Sequence, residues 1–249
     1  MTPELSAVVE EAYTVFSRYR IEGRTITVCP CPSCVSEENR VALIRTPLRE
    51  ISSALLSEYT NSAHDWDDGP VAREMRYLLP RYLELIASGT IPGLDLDICL
   101  SRLSKAGWRT KWPDREIDLL DRFFDALADD RARVIELAHW PVGWRLETDV
   151  GGVLLLTATA DGDLDRVLAR LDRVPDPEAS VHFAALRGDV LVETSRTYLH
   201  SVYLEQHRAE AERIGRFVMR PEVSQRIEAS FFTVDDPRLQ QVLSDALTV

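Results

Sequence analysis

Proline divides this chain into helices. Pro47, Pro70, Pro113, Pro177, Pro221 and Pro237 each precede an apolar run at helical spacing. At a first helical position proline gives up no hydrogen bond, and its φ is already helical. Prolines so placed predict helix starts, with Thr46, Asp176 and Asp236 as N-caps just before three of them. The runs that follow include Leu48, Ile51, Leu55, Tyr59; Ile117, Leu120, Phe124, Leu127; and Leu239, Val242, Leu243. Ahead of them, Leu5, Val8, Val9, Ala12, Tyr13, Phe16 and Tyr19 form one stripe on an N-terminal helix. Pro80 differs. It lies inside Tyr77-Leu-Leu-Pro-Arg-Tyr-Leu-Glu-Leu85 and predicts a kink there or a division in two.

Residues 145–249 continue in this style. Val153, Leu154 and Thr157 run into a break at Asp161-Gly-Asp163, and Leu164, Val167, Leu168 and Leu171 resume the period. The spacing predicts a long helix from about Thr197 to Met219, then helices after Pro221 and Pro237. Thr25-Ile-Thr-Val28 is the one β-like run of the N-terminal half. Strands this sparse cannot build a sheet-based core. The fold class is therefore all-α: a multi-helix array of short proline-initiated helices, with a small cysteine-containing turn near the N-terminus. The apolar period breaks at Trp140-Pro-Val-Gly-Trp144. That places a seam between a helical region with the cysteine-rich turn, 1–144, and an acidic helical region, 145–249, if the two are not one continuous domain.

Apolar residues make up 45% of the 249, which fits a chain with a buried core rather than a disordered one. The longest apolar stretch, Val150 to Leu156, is too short to span a bilayer. Met1-Thr-Pro-Glu-Leu-Ser6 lacks a basic n-region, so a cytoplasmic protein with reduced or metal-bound thiols is expected. The net charge of −12 is uneven along the sequence. Residues 1–112 hold 13 Lys+Arg against 15 Asp+Glu, and residues 113–249 hold 16 against 26. The resulting −10 repels nucleic acid and anionic membranes and favours a basic protein partner.

Three of the four cysteines fall in Cys29-Pro-Cys31-Pro-Ser-Cys34. The C-x2-C spacing lets two thiolates from one tight turn share a tetrahedral zinc, and Cys29 can join them. A closed structural site needs a fourth ligand. Cys99 is the available thiol and His64 the nearest imidazole in sequence, so the candidate metal set is Cys29, Cys31, Cys34 and Cys99. Taken alone, Cys99 between Ile98 and Leu100 reads as core. A redox role for Cys31 and Cys34 would want a β-α-β context that is missing here.

His64-Asp-Trp-Asp-Asp-Gly69 has the composition of a turn before a helix. Asp161-Gly-Asp163-Leu-Asp165 imitates part of a calcium loop but has Arg166 where that loop requires glycine. No G-x-S-x-G, H-E-x-x-H, Walker or G-x-G-x-x-G motif occurs, so no catalytic residue is nominated. His139, His182, His200 and His207 read as helical, and Trp108, Trp112, Trp140 and Trp144 as core or as partner anchors.

Cys31-Pro-Ser-Cys34, Thr46-Pro-Leu-Arg-Glu50, Glu58-Tyr-Thr-Asn-Ser-Ala63, Tyr77-Leu-Leu-Pro-Arg-Tyr-Leu-Glu-Leu85 and Ala106-Gly-Trp108 together resemble a family of uncharacterised bacterial proteins. Its members open with a C-x-x-C element and carry an "FLPR-x-LEL" helix. The resemblance covers about residues 25–130 and implies a helical fold without implying an activity. In general character the chain is also similar to immunity proteins that neutralise bacterial toxins. Together these observations lead us to expect a non-enzymatic protein-binding module of immunity type, neutralising a basic toxin through residues 113–249. A metal- or thiol-dependent enzyme or redox protein centred on Cys31 and Cys34 is the alternative.

Overall fold

The computed structural model describes residues 1–21, 26–29, 31, 34–62, 68–141, 143–146, 150–194 and 196–248. The fold is mainly helical, as the apolar spacing predicts. Residues 1–126 and 159–162 form one compact unit; residues 127–158 and 163–249 form the other.

In the first unit α1 (Pro3–Val15) begins with Pro3 and is capped by Thr2, whose hydroxyl accepts the Leu5 N–H. The stripe Leu5, Val8, Val9, Ala12 is buried, whereas Tyr19 lies beyond the helix end. α2 (Glu37–Arg45) is capped by Ser36, and Thr46, expected as an N-cap, ends this helix instead. The helix expected after Pro47 starts later. Only a 3₁₀ turn, Leu48–Glu50, follows the proline. The Ile51 carbonyl then accepts from Arg81 Nε at 2.7 Å, and Ser52 caps α3 (Ser53–Asn61). α4 (Asp68–Ala87) continues through Pro80 undivided. Met75, Leu78, Leu79, Tyr82, Leu83 and Ile86 are buried around that proline, and packing of this kind outweighs one lost helical bond.

α5 (Arg102–Ala106) ends at Gly107, whose φ of +63° suits a residue without Cβ, and α6 (Trp108–Lys111) follows. Trp108 is fully buried, and its Nε1–H donates to the Ala160 carbonyl at 2.7 Å. The segment 159–162 is thereby held in the first unit, with Arg109 Nε donating to the Asp161 carbonyl at 3.1 Å. α7 (Asp114–Ala132) leads from the first unit into the second.

The second unit opens with an antiparallel hairpin, β1 (Leu137–Trp140) and β2 (Gly143–Leu146), paired Leu137 to Leu146 and Trp140 to Gly143. The break at Trp140–Trp144 is thus the turn of this hairpin. α8 (Val150–Thr159), α9 (Leu164–Leu171, capped by Asp163) and α10 (Glu178–Arg187) follow. Asp176 does not cap α10; its carboxylate accepts from Ser180 Oγ at 2.5 Å.

The single long helix expected over Thr197–Met219 is not formed. β3 (Val190–Glu193) pairs with β4 (Arg196–Leu199), and α11 (Arg208–Val218) begins only after His207. β-Branched and aromatic residues at 190, 192, 197 and 198 favour the strands, and Gly215 lets α11 approach them. A Cβ there would stand 2.6 Å from Tyr198 Cα. α12 (Pro221–Thr233) and α13 (Pro237–Leu247) start on their prolines, with Asp236 accepting the Arg238 N–H as the sequence predicts. Of the histidines read as helical, only His182 lies within a helix; His139 is in β1 and stacks edge-on against Trp144.

Candidate metal centre

Of the β-like run before the cysteines, residues 26–28 are described, and they join no sheet. Ile26 and Val28 are buried, while Thr27 and Cys29 are partly exposed. Buried backbone groups need partners, and here side chains supply them. Glu74 Oε1 accepts the Thr27 N–H at 2.7 Å, and Ser62 Oγ accepts the Cys29 N–H at 2.7 Å. Arg102 donates to the Thr27 carbonyl, and Arg40 Nη2 donates to the Cys29 carbonyl at 2.7 Å. These four residues come from α4, the end of α3, α5 and α2. No sheet forms because four helical side chains occupy the groups a neighbouring strand would use.

Arg40 has a second contact, from Nε to the Val35 carbonyl at 3.3 Å. One guanidinium therefore ties together the two ends of the cysteine loop. Val35 is fully buried beside it, and the loop closes on Ser36, which caps α2. Within the loop the Cys34 N–H donates to the Cys31 carbonyl at 3.3 Å, giving the tight turn that C-x2-C spacing suggests.

The Sγ atoms of Cys29, Cys31 and Cys34 all lie within 4.8 Å of one another, and those of Cys31 and Cys34 are 3.0 Å apart. None of the three is joined in a disulfide. Thiolates placed tetrahedrally about 2.3 Å from a zinc ion stand roughly 3.8 Å apart, so Cys31 and Cys34 would have to separate from 3.0 Å to receive one. The three cysteines are close enough to hold a metal ion. Hydrogen bonding with Cys31 and then Cys29 pushes the Cys34 thiol up to about 12, with burial adding to the shift. Crowded thiols resist becoming crowded thiolates, and a divalent cation removes that resistance.

Cys99 is not in the group. It is buried, its Sγ donates to the Asp95 carbonyl at 3.1 Å, and its thiol is raised to about 12, chiefly by burial. A Cβ on Gly93 would stand 3.1 Å from this sulfur, so Cys99 packs in the loop before α5. Among the described residues no other Cys, His, Asp or Glu joins the three. His64 and the Asp65 and Asp67 carboxylates lie outside the described residues.

Arg40, Ser62, Glu74 and Arg102 carry no motif, and their role is visible only in three dimensions. No family model, curated protein or solved structure matches the chain.

Grouping the charges by compact unit alters their distribution. Asp114, Glu116, Asp118, Asp121, Asp125 and Asp161 belong with the first unit, as do Arg115 and Arg122. The first unit then holds 21 acidic and 15 basic residues and the second 20 and 14, a net of −6 each. The asymmetry along the sequence is not one between the folded units. No helix among the described residues is long and apolar enough to cross a membrane.

Proposed function

We propose that Cys29, Cys31 and Cys34 bind a structural zinc ion, and that the protein is a non-enzymatic binding module. The carrying observation is the meeting of three thiols in a loop whose ends are tied by Arg40. Soft thiolates select zinc over hard cations, and a tetrahedral ion held by these three keeps a fourth position for a ligand that the described residues do not supply. The ion would lock the turn that precedes α2, and its binding energy would become folding energy for the first unit. A thiol-based enzyme or redox centre is the less suited reading, because reactive cysteines have lowered pKa values and Cys34 is shifted the other way. Cobalt(II) titration tests the site. Thiolate-to-cobalt absorption saturating near one equivalent, and abolished by Cys29→Ser, supports it; absorption that ignores Cys29 contradicts the three-thiol set.

For the binding role we infer a basic protein partner, a toxin in the immunity reading, docking on the second unit. Its net charge of −6 does not distinguish it from the first unit. Its exposed apolar side chains favour this reading: Trp140 is 51% and Phe232 76% accessible. Aromatic anchors hold a complex that opposite charge assembles. Pull-down with the intact protein should recover a basic partner whose binding weakens with salt and with Trp140→Ala plus Phe232→Ala. A partner unaffected by both substitutions would contradict it.

A further inference from the structure

A cleft of about 250 Å³ lies in the first unit where the end of α1 meets Leu48 and α4. Its walls are aromatic: Tyr13, Phe16, Tyr19 and Tyr77, with Pro80 beside them. Two of these rings are fixed by their hydroxyls. Tyr13 donates to Glu84 at 2.5 Å and Tyr19 to Glu116. The Tyr77 hydroxyl has no hydrogen-bond partner among the described residues, so a polar group remains on the wall.

Arg20 stands in the same lining. Its Nη1 donates to the carbonyls of Ser17 and Tyr19, which holds the guanidinium in place. The Nε and Nη2 edge has no partner among the described residues. This is the edge that takes a carboxylate through two parallel hydrogen bonds.

The surroundings have the matching sign. Arg20 is in the lining, Arg18, Arg76 and Arg49 lie against its Tyr19 and Tyr13 rings, and Arg81 pairs with Glu84, the acceptor of the Tyr13 hydroxyl. Glu84, Glu116 and Glu10 are the carboxylates in that network. Among the described residues of this network, five cations meet three carboxylates.

We propose that this cleft binds a small aromatic carboxylate, its ring among Tyr13, Phe16 and Tyr77 and its carboxylate on Arg20. Pockets for drug-sized ligands enclose roughly 300–1,000 Å³, so this smaller space suits a single ring. The aromatic walls provide offset or edge-on stacking, and the guanidinium discriminates against neutral and cationic rings. The site is independent of the cysteines.

The test uses the full chain, with benzoate and phenylacetate as probes followed by ligand-observed NMR and calorimetry. Acetate and benzylamine report the ring and the charge separately. Saturable binding of the aromatic acids is expected, with acetate and benzylamine at least about tenfold weaker. Arg20→Gln, at an exposed position, should weaken the acids about tenfold or more while circular dichroism stays unchanged. Tyr77→Ala should weaken them independently. No binding of either acid up to about 10 mM, equal binding of benzylamine, or an affinity unchanged in Arg20→Gln would each overturn the proposal.

Discussion

At the residue scale, Arg40 and Ser62 hold the backbone at the two ends of the cysteine loop, Ser62 at Cys29 and Arg40 at both Cys29 and Val35. Arg40→Met removes both carbonyl contacts, to Cys29 and Val35, while keeping an unbranched side chain. Groups that orient metal ligands are commonly worth 10–100-fold in affinity. We expect zinc binding to weaken about tenfold or more in competition with a chelator, with helix content unchanged; an unaltered affinity would show that the loop positions itself. Ser62→Ala leaves the Cys29 N–H without its acceptor and should cost about 1–3 kcal/mol by denaturant unfolding. Neither residue was legible in the sequence. Arg40 lies eleven positions after Cys29 and Ser62 thirty-three, and a lone Arg or Ser has no pattern to mark it. The thiols themselves were legible because two-residue spacing almost dictates a shared turn. Cys99 joins the candidate set only if chemistry is weighed without burial; its apolar neighbours Ile98 and Leu100 carried the better clue.

At the element scale, local rules succeeded where a helix carries its own start signal. Pro221 and Pro237 begin α12 and α13, and Asp236 caps the second of these. They failed where tertiary partners compete for the backbone. Arg81 takes the Ile51 carbonyl, so α3 waits for Ser52, and the backbone of Thr27 and Cys29 meets side chains instead of a strand. The β3–β4 hairpin was missed because Thr197, Tyr198 and Leu199 fit a helical apolar count as well as a strand. Gly215 marks the close approach that decides the matter. Gly215→Ala should cost about 1–3 kcal/mol, read by thermal unfolding, because the added carbon meets backbone atoms that cannot rotate away; a neutral result would contradict the packing of α11 on β4. Asp236 adds a pH test. Hydrogen bonds from the Arg238 side chain and then its backbone N–H hold the carboxyl at about 2, below its ordinary 3.8. A lowered folded value means stabilisation present in full above the ordinary value and lost as pH falls through about 2. The stability gap between wild type and Asp236→Asn should therefore be constant near neutrality and close on acidification; a widening gap would contradict the assignment.

At the scale of the whole molecule, the chain leaves the first unit at residue 126, returns for 159–162 and leaves again. A break in apolar period cannot reveal such a return, since four residues carry no period. The segment matters because Ala160 receives the Trp108 indole N–H. A fragment ending at residue 126 should accordingly unfold at lower temperature than the first unit of the intact protein. Acidity that looks concentrated in one half of the sequence divides evenly between the units chiefly because Asp114, Glu116, Asp118, Asp121 and Asp125 belong to the first, with Asp161 added by the returning segment. The cysteine loop belongs to the first unit, so metal removal should raise amide hydrogen exchange around residues 26–62 and leave α10, α12 and α13 unchanged. The most direct measurement is the zinc content of protein purified without chelator, beside a Cys31→Ser, Cys34→Ser variant. About one zinc per chain in the native protein and almost none in the variant is the predicted result. Less than about a tenth of an equivalent in the native protein, or equal zinc in both, would contradict a metal centre at Cys29, Cys31 and Cys34.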